Sequence, residues 1–213
     1  VLENPGPGAV VDNLGLMNGR APRLSNIDRE VWQAQIELRN PDVISFAYGV
    51  NSAGPHRASE EWLRDYADAY GGILTTARRS GDAGVGCLVV SALTRGTLEG
   101  DRVRVYPSVE PLVRHQQRAA ESAGCAFWNA FRAIGGEAGV NRWYHNRPRL
   151  LGSDFSHPTR AGYAKLANLF YASLIEEFRT YLEERIRRAS VPNLRDIYAE
   201  HRADTPTVPT AIR

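Results

Sequence analysis

Strand-like and helix-like apolar patterns alternate along this chain, and that alternation most limits the folds open to it. Short apolar runs bounded by turn residues predict strands at 9–14, 42–48, 85–92 and 125–128. Longer runs with helical spacing predict helices at 28–39, 60–79, 110–123 and 158–188, with one helical turn or two at 129–134. Strands that alternate with helices predict an α/β fold, with a parallel sheet covered by helices on both faces.

Composition limits the size of the fold and the class of partner. The 213 residues are 43% hydrophobic and 23% charged, which suits one domain with a sizeable core. The net charge of +2, with arginines scattered among acids, predicts no nucleic-acid partner. No apolar run approaches about 20 residues, so no membrane span is expected.

The ends and the longer connections carry the remaining domain predictions. Residues 1–8, rich in glycine and proline, predict a connector to a core at 9–178. The charged run at 179–189 predicts an extension of the last helix, and residues 190–213 predict an exposed tail. The stretches 93–107 and 135–153 predict irregular loops.

The two cysteines, Cys87 and Cys125, fall in predicted buried strands and in no ligand or redox motif. Free buried thiols are therefore expected, and a disulfide between them is the alternative. No histidine and cysteine spacing matches a zinc site, so neither a metal nor another cofactor is expected.

Asp154 precedes His157 by three residues, and Pro158 then opens the last predicted helix. In such a turn the carboxylate can accept a hydrogen bond from one ring nitrogen of the histidine. That bond fixes the tautomer and leaves the other nitrogen free to take a proton from a nucleophile. The same residues are equally compatible with a capped turn that carries a surface histidine.

Three segments of the chain resemble sequence blocks of the SGNH (GDSL-type) hydrolases. Residues 47–51 resemble the Gly-x-Asn block, residues 154–157 the Asp-x-x-His block, and residues 11–19 the glycine block. The resemblance covers about residues 8–178 and implies a flavodoxin-like three-layer sandwich. It is closest to the polysaccharide and peptidoglycan O-acetylesterases, and it implies a secreted or periplasmic protein.

The resemblance also implies the roles of particular residues. Asp154 and His157 would be catalytic, while Asn51 and Gly19 would form the oxyanion hole, with Gly15 as the alternative to Gly19. Acyl transfer needs such preorganised amide donors where the oxyanion develops. Trp143 and His145, in the arginine- and aromatic-rich stretch before the turn, are weaker candidates for substrate binding; an ordinary surface loop is the alternative.

The Gly-Asp-Ser block, which carries the family's serine nucleophile at the end of the first strand, is missing from residues 1–213. In the flavodoxin-like order this strand, here called the leading strand, lies between the strands predicted at 9–14 and 42–48. Unpaired backbone groups in the centre of a sheet are costly. An N-terminal segment or a separate chain is therefore expected to supply the leading strand and the serine.

These features together predict a serine esterase that removes small acyl groups, O-acetyl above all, from a carbohydrate such as peptidoglycan. The expected partners are that acylated carbohydrate and the segment that supplies the serine. A lipid or thioester hydrolase is one alternative. A catalytically inactive carbohydrate-binding protein on the same fold is the other.

Overall fold

The computed structural model describes residues 8–56, 58–80 and 84–203, with side chains described as far as residue 188. The chain divides into two compact units, Val1–Leu166 and Ala167–Arg213. The first unit holds the sheet and the candidate site, and the described part of the second is the continuation of the last helix.

The strands and helices follow in the expected alternation. The strands of the described residues are β1 (Val43–Ala47), β2 (Gly86–Val90), β3 (Gly96–Glu99), β4 (Arg102–Val105) and β5 (Ala126–Trp128). The α-helices are α1 (Arg29–Arg39), α2 (Glu60–Arg79), α3 (Val109–Ala123), α4 (Ala130–Ala133), α5 (Gly136–His145) and α6 (Arg160–Ala203). Short 3₁₀ turns cover Ala21–Asn26 and Val50–Ser52.

Strands β1, β2 and β5 form a parallel sheet in that order, while β3 and β4 form a separate antiparallel hairpin. Phe46 of β1 lies opposite Val89 of β2, and Val90 of β2 lies opposite Trp128 of β5. The parallel order confirms the predicted α/β fold. Because parallel strands end at the same edge, the loops after β1, β2 and β5 share that edge.

Helices α2 and α3 pack together beside the sheet and supply a large share of the core. Tyr66 and Tyr70 of α2 are at most 2% exposed, and Leu112 of α3 is completely buried. The ring of Tyr70 meets Phe46 of β1 edge-on, with centroids 6.4 Å apart. Each such side chain contributes about 1.5–3 kcal/mol by its burial, so this layer holds the sheet in place.

The strand predicted at 9–14 is not formed in this structure, where these residues make no ladder. Val11 is 86% exposed and Leu14 is 61% exposed, although both are apolar. A strand needs a neighbour that shares its backbone hydrogen bonds, and no described strand lies beside this segment. Strand β1 likewise pairs only with β2 among the described residues, which leaves its other edge open.

Cys87 and Cys125 form a disulfide, with their Cα atoms 4.7 Å apart, so the expectation of free thiols is wrong. The register of β2 and β5 explains the pair. Leu88 lies opposite Ala126, which places the two preceding cysteines level with each other on adjacent strands. The sequence does not reveal which strands are neighbours, and the pairing depends on that.

Two predicted loops contain regular structure. Residues 93–107 hold the β3–β4 hairpin, and residues 135–153 hold α5. Asn141 of α5 joins these two elements, because its side chain accepts from Val103 N and donates to Val103 O, both at 2.8 Å. This pair of bonds fastens α5 to β4.

The last helix continues to Ala203, so it ends beyond the predicted residue 188 and the backbone of residues 190–203 is helical. Residues 1–7 of the predicted connector and residues 204–213 of the predicted tail lie outside the described residues. None of the described helices combines the length and the apolar character that crossing a membrane requires.

Candidate active site

The turn that carries Asp154 and His157 closes on itself just before α6. Gly152 N donates to His157 O at 2.7 Å, and an isolated bridge pairs Leu151 with Pro158. Phe155, inside the turn, has a φ of 56°. The polypeptide therefore doubles back within a few residues, which brings the side chains of Asp154 and His157 together.

Asp154 binds His157 through both carboxylate oxygens. Oδ2 accepts from His157 Nδ1 at 2.5 Å, while Oδ1 accepts from the backbone N–H groups of Ser156 and His157 at 3.2 and 3.1 Å. The carboxylate thus caps the turn and orients the ring at the same time. This geometry is compatible both with a capped turn and with an oriented Asp–His pair. With its proton on Nδ1, the ring presents an Nε2 lone pair.

Asp154 is ionised more readily than a free aspartate, which suits a carboxylate that orients the His157 ring. Partial burial acts to raise the pKa of the carboxyl, but the hydrogen bonds from the His157 ring and from the two backbone N–H groups outweigh it, and the pKa lies below its usual value. The side chain of His157 is 62% exposed, and no described residue bonds its Nε2. This nitrogen is therefore open to a group that approaches from outside.

Asn51 lies in the loop that follows the carboxyl end of β1. Gly49 opens this loop with a φ of 120°, and a Cβ there would come within 2.7 Å of Gln116 Nε2. Only glycine fits such a position. The N–H groups of Ser52 and Ala53 then donate to Gly49 O at 2.8 and 3.0 Å, which closes a single turn with Asn51 at its centre.

The structure brings Asn51 and Gly19 together, as candidates for one oxyanion hole should be. Asn51 Nδ2 donates to Gly19 O at 3.2 Å, which leaves the second hydrogen of that amide for another acceptor. The two glycine N–H groups are engaged locally, with Gly19 N donating to Leu16 O and Gly15 N to Asn13 Oδ1, each at 3.0 Å. In this conformation Asn51 is the available donor.

Trp143 and His145 are both used within the fold. Trp143 is only 5% exposed, and its carbonyl accepts from the N–H groups of Leu150 and Leu151. It anchors the chain that leads into the Asp154–His157 turn and offers no surface on which a sugar could stack. His145 is exposed, but its Nε2 donates to Asp101 O at 2.7 Å in the hairpin turn.

Tyr144 is the aromatic residue that lies against the turn, although the sequence favoured its neighbours Trp143 and His145. Its ring centroid is 5.4 Å from that of Phe155, and the guanidinium of Arg149 stands 4.5 Å from its ring centroid. The helical order of α5 decides which aromatic faces outward, and glycines at 135 and 136 obscured that helix in the sequence.

The first unit holds both candidate pairs, Asp154–His157 and Asn51–Gly19. No described hydrogen bond, ion pair or ring contact links Asp154 or His157 to Asn51 or Gly19. Among the described residues, no cluster of three or more histidine, cysteine or acidic side chains is arranged to hold a metal ion.

Solved structures with the same fold exist, although neither a protein-family profile nor a curated protein sequence matches the chain. A structure described as a peptidoglycan O-acetylesterase in action superposes with a TM-score of 0.66, at 20% identity, over 76% of this chain. The fold of this chain is that of the SGNH hydrolases. A gut microbial diltiazem-metabolizing enzyme follows, with a TM-score of 0.52 at 16% identity over 73% of this chain.

A GDSL-like lipase from Parabacteroides merdae also shares the SGNH fold, with a TM-score of 0.50 at 17% identity over 71% of this chain. This chain spans 45%, 37% and 66% of the lengths of the three proteins in turn. Each of the three proteins is thus longer than the part of it that this chain matches. At these identities the likeness establishes the fold, and the chemistry must be argued from the site.

Proposed function

We propose that this chain is the histidine-bearing part of a serine esterase with the SGNH fold. The observation that carries the proposal is His157, whose Nδ1 is bound to Asp154 and whose Nε2 is exposed and unbonded among the described residues. An oriented imidazole with one free nitrogen is the general base that acyl transfer requires.

In the proposed reaction a serine Oγ attacks the acyl carbonyl, and His157 Nε2 takes the serine proton. The oxyanion that forms accepts a hydrogen bond from Asn51 Nδ2. The intermediate then collapses, and His157 returns the proton to the departing sugar oxygen. Water, deprotonated by His157 in turn, releases the acid and regenerates the serine, while Asp154 stabilises the imidazolium in each half of the reaction.

The serine comes, in this proposal, from an N-terminal segment or a partner chain that also supplies the leading strand. The open edge of β1 supports this, since backbone groups there lack a described partner. Val43 of β1 is 60% exposed, and Val10, Val11 and Leu14 lie exposed in the segment predicted as the neighbouring strand. A strand inserted beside β1 would pair with both and cover this apolar surface.

Insertion of the leading strand also bears on the second oxyanion donor. When residues 9–14 pair as a strand, the turn at 15–19 that follows them must reorganise. The N–H of Gly19 then leaves Leu16 O and turns toward the oxyanion beside Asn51. The side chain of Asn51, which binds Gly19 O already, holds this loop close to the site in the meantime.

Acetyl esters of a carbohydrate such as peptidoglycan are the proposed substrates. The structural neighbour described as a peptidoglycan O-acetylesterase, with a TM-score of 0.66, supports this choice. The Cys87–Cys125 disulfide supports a secreted or periplasmic location, because such bonds persist in oxidising compartments. Peptidoglycan lies in that same setting.

Hydrolysis of p-nitrophenyl acetate, and acetate release from O-acetylated peptidoglycan, test the proposal. The chain is expressed together with the polypeptide encoded immediately upstream, hereafter the complete protein. His157→Ala should lower the rate by about 10³–10⁴-fold. The matched His56→Ala variant, at an exposed histidine, should keep the wild-type rate. An unchanged rate in His157→Ala would refute the assignment.

Two further measurements separate the alternatives. A fluorophosphonate probe should label a serine of the complete protein, and labelling of nothing would favour an inactive carbohydrate-binding protein. A strong preference for octanoyl over acetyl esters would favour a lipid or thioester hydrolase instead.

A further inference from the structure

Arg95, which follows β2, binds the backbone on both sides of Asn51. Its Nη1 donates to Val50 O at 3.2 Å and to Ala53 O at 2.9 Å. These two carbonyls flank the single 3₁₀ turn in which Asn51 sits. One guanidinium nitrogen thus bridges the turn just before and just after the candidate oxyanion donor.

A turn this short needs such support. A helical turn of three residues closes too few internal bonds to offset the cost of ordering its backbone. A basic side chain at the carboxyl end of a helical turn satisfies the carbonyls that lack partners and complements their partial negative charge. Arg95 is half-buried and makes no ion pair with any described carboxylate, so the carbonyls are its described partners.

Two buried side chains, Gln116 of α3 and Ser108 just before α3, hold the ends of the same loop. Gln116 is completely buried and donates to Tyr48 O at 2.8 Å, while its Oε1 accepts from Ala92 N at 3.0 Å. Ser108 Oγ accepts from Gly54 N at 2.8 Å and donates to Gly54 O at 2.7 Å. Between these held ends, Arg95 is the side chain that binds the carbonyls on either side of Asn51.

We propose that Arg95 is a positioning residue that aims the side-chain amide of Asn51. By binding the carbonyls of Val50 and Ala53 it keeps the turn closed, and the closed turn sets where Asn51 Nδ2 points. Its catalytic consequence rests on the function proposed above, whereas its effect on Asn51 does not. A donor that is held in place before reaction costs no reorganisation when the oxyanion forms.

The structural test uses this chain as it stands. Side-chain amide resonances of Asn51, and hydrogen exchange at Ser52 and Ala53, are compared between wild type and Arg95→Met. The Asn51 signals should shift and broaden, and the two amides should exchange about tenfold faster or more, which corresponds to a weakened turn. Exchange at Val89, in the centre of β2, should remain at the wild-type rate.

Arg114→Met is the matched control, because it makes the same change at an exposed arginine of α3 that pairs with Glu110. It should leave the Asn51 signals unchanged. Arg95→Lys keeps a cationic donor and should recover part of the wild-type pattern. It also keeps the test decisive if Arg95→Met does not fold.

The catalytic test measures p-nitrophenyl acetate hydrolysis by the complete protein. Arg95→Met should lower kcat by about 10²-fold, the scale expected for misplacement of a catalytic group, with KM nearly unchanged. Arg95→Lys should restore part of kcat. A merely structural role would instead lower the amount of folded enzyme and leave kcat per active site intact.

The possible failures are distinguishable. Wild-type resonances and exchange rates in Arg95→Met would overturn the link between Arg95 and Asn51, whatever the activity. A displaced Asn51 with wild-type kcat would overturn the catalytic consequence. An inactive wild-type complete protein would refute the proposed function, while a displaced Asn51 amide would still support the positioning by Arg95.

Discussion

The Asp154–His157 turn and the Gly15–Gly19 segment differ in how much of their structure is local. Every hydrogen bond that orients Asp154 and His157 toward each other spans at most three residues. The glycine segment follows an exposed coil, and Met17 within it is 100% exposed. A turn closed by its own residues forms without a neighbour, whereas a segment suited to a sheet edge depends on the strand beside it.

Asn51 contacts both the packed part of the fold and the glycine segment. Its backbone belongs to the packed part of the fold, through Arg95 and the loop after β1. Its side chain reaches Gly19, in the segment that lacks a sheet partner. In the proposed function, Asn51 therefore lies between the part of the site that is formed in this structure and the part that the leading strand would complete.

The largest expected effect is that of Asp154→Asn in the complete protein. An amide in place of the carboxylate favours the wrong tautomer of His157, and kcat should fall by roughly 10³–10⁴-fold while the fold is retained. Esterase kinetics and thermal unfolding measure the two quantities. Asp68→Asn, at an exposed aspartate of α2, is the control. A normal kcat in Asp154→Asn would mean that the turn is only a capped turn.

Asn51→Ala should have the next largest effect, a fall in kcat of about 10²–10³-fold, because one oxyanion donor is lost. Asn51→Asp should be at least as impaired, since an ionised carboxylate keeps the size but cannot donate. Steady-state kinetics of the complete protein measure both. A wild-type kcat in Asn51→Ala would mean that the oxyanion binds elsewhere. It would contradict the proposed role of Asn51 between the packed fold and the glycine segment.

The smallest effect concerns the pH dependence of stability. The pKa of Asp154 is lowered in the folded protein, so its ionised form stabilises the fold above the unfolded pKa, and this contribution is lost as pH falls through the folded pKa. The Tm advantage of wild type over Asp154→Asn should be full above about pH 4 and shrink below it. Thermal scans across this range measure it, and an advantage that grows toward acid would contradict the turn geometry.

Local patterns predicted the elements of the packed region well. The helix predicted at 60–79 matches α2, which Ser59 Oγ caps by accepting from Trp62 N. Strands β1, β2 and β5 fall within their predicted runs. Periodic burial produces these apolar patterns, so they can be recognised in the sequence without knowledge of the fold.

The missed elements had weaker signals of their own. Arg102–Val105 alternates polar and apolar residues after Gly100-Asp101, which is a hairpin signal that a long loop assignment concealed. The glycines at 135 and 136 disguised α5. The end of the last helix was placed too early, because the charged run after residue 178 reads equally as a helix or as an extension into solvent.

The amino-acid sequence by itself determined the α/β alternation, the hydrogen bond between Asp154 and His157, and the tight loop that Gly49 opens. All three depend on residues near one another in the chain, where periodicity and turn chemistry act directly. Only the tertiary structure decided that Cys87 meets Cys125, that Trp143 is buried, that β1 has an open edge, and that Arg95 and Gly19 reach the loop of Asn51. These outcomes depend on which elements are neighbours in space, and nothing in the local pattern carries that information.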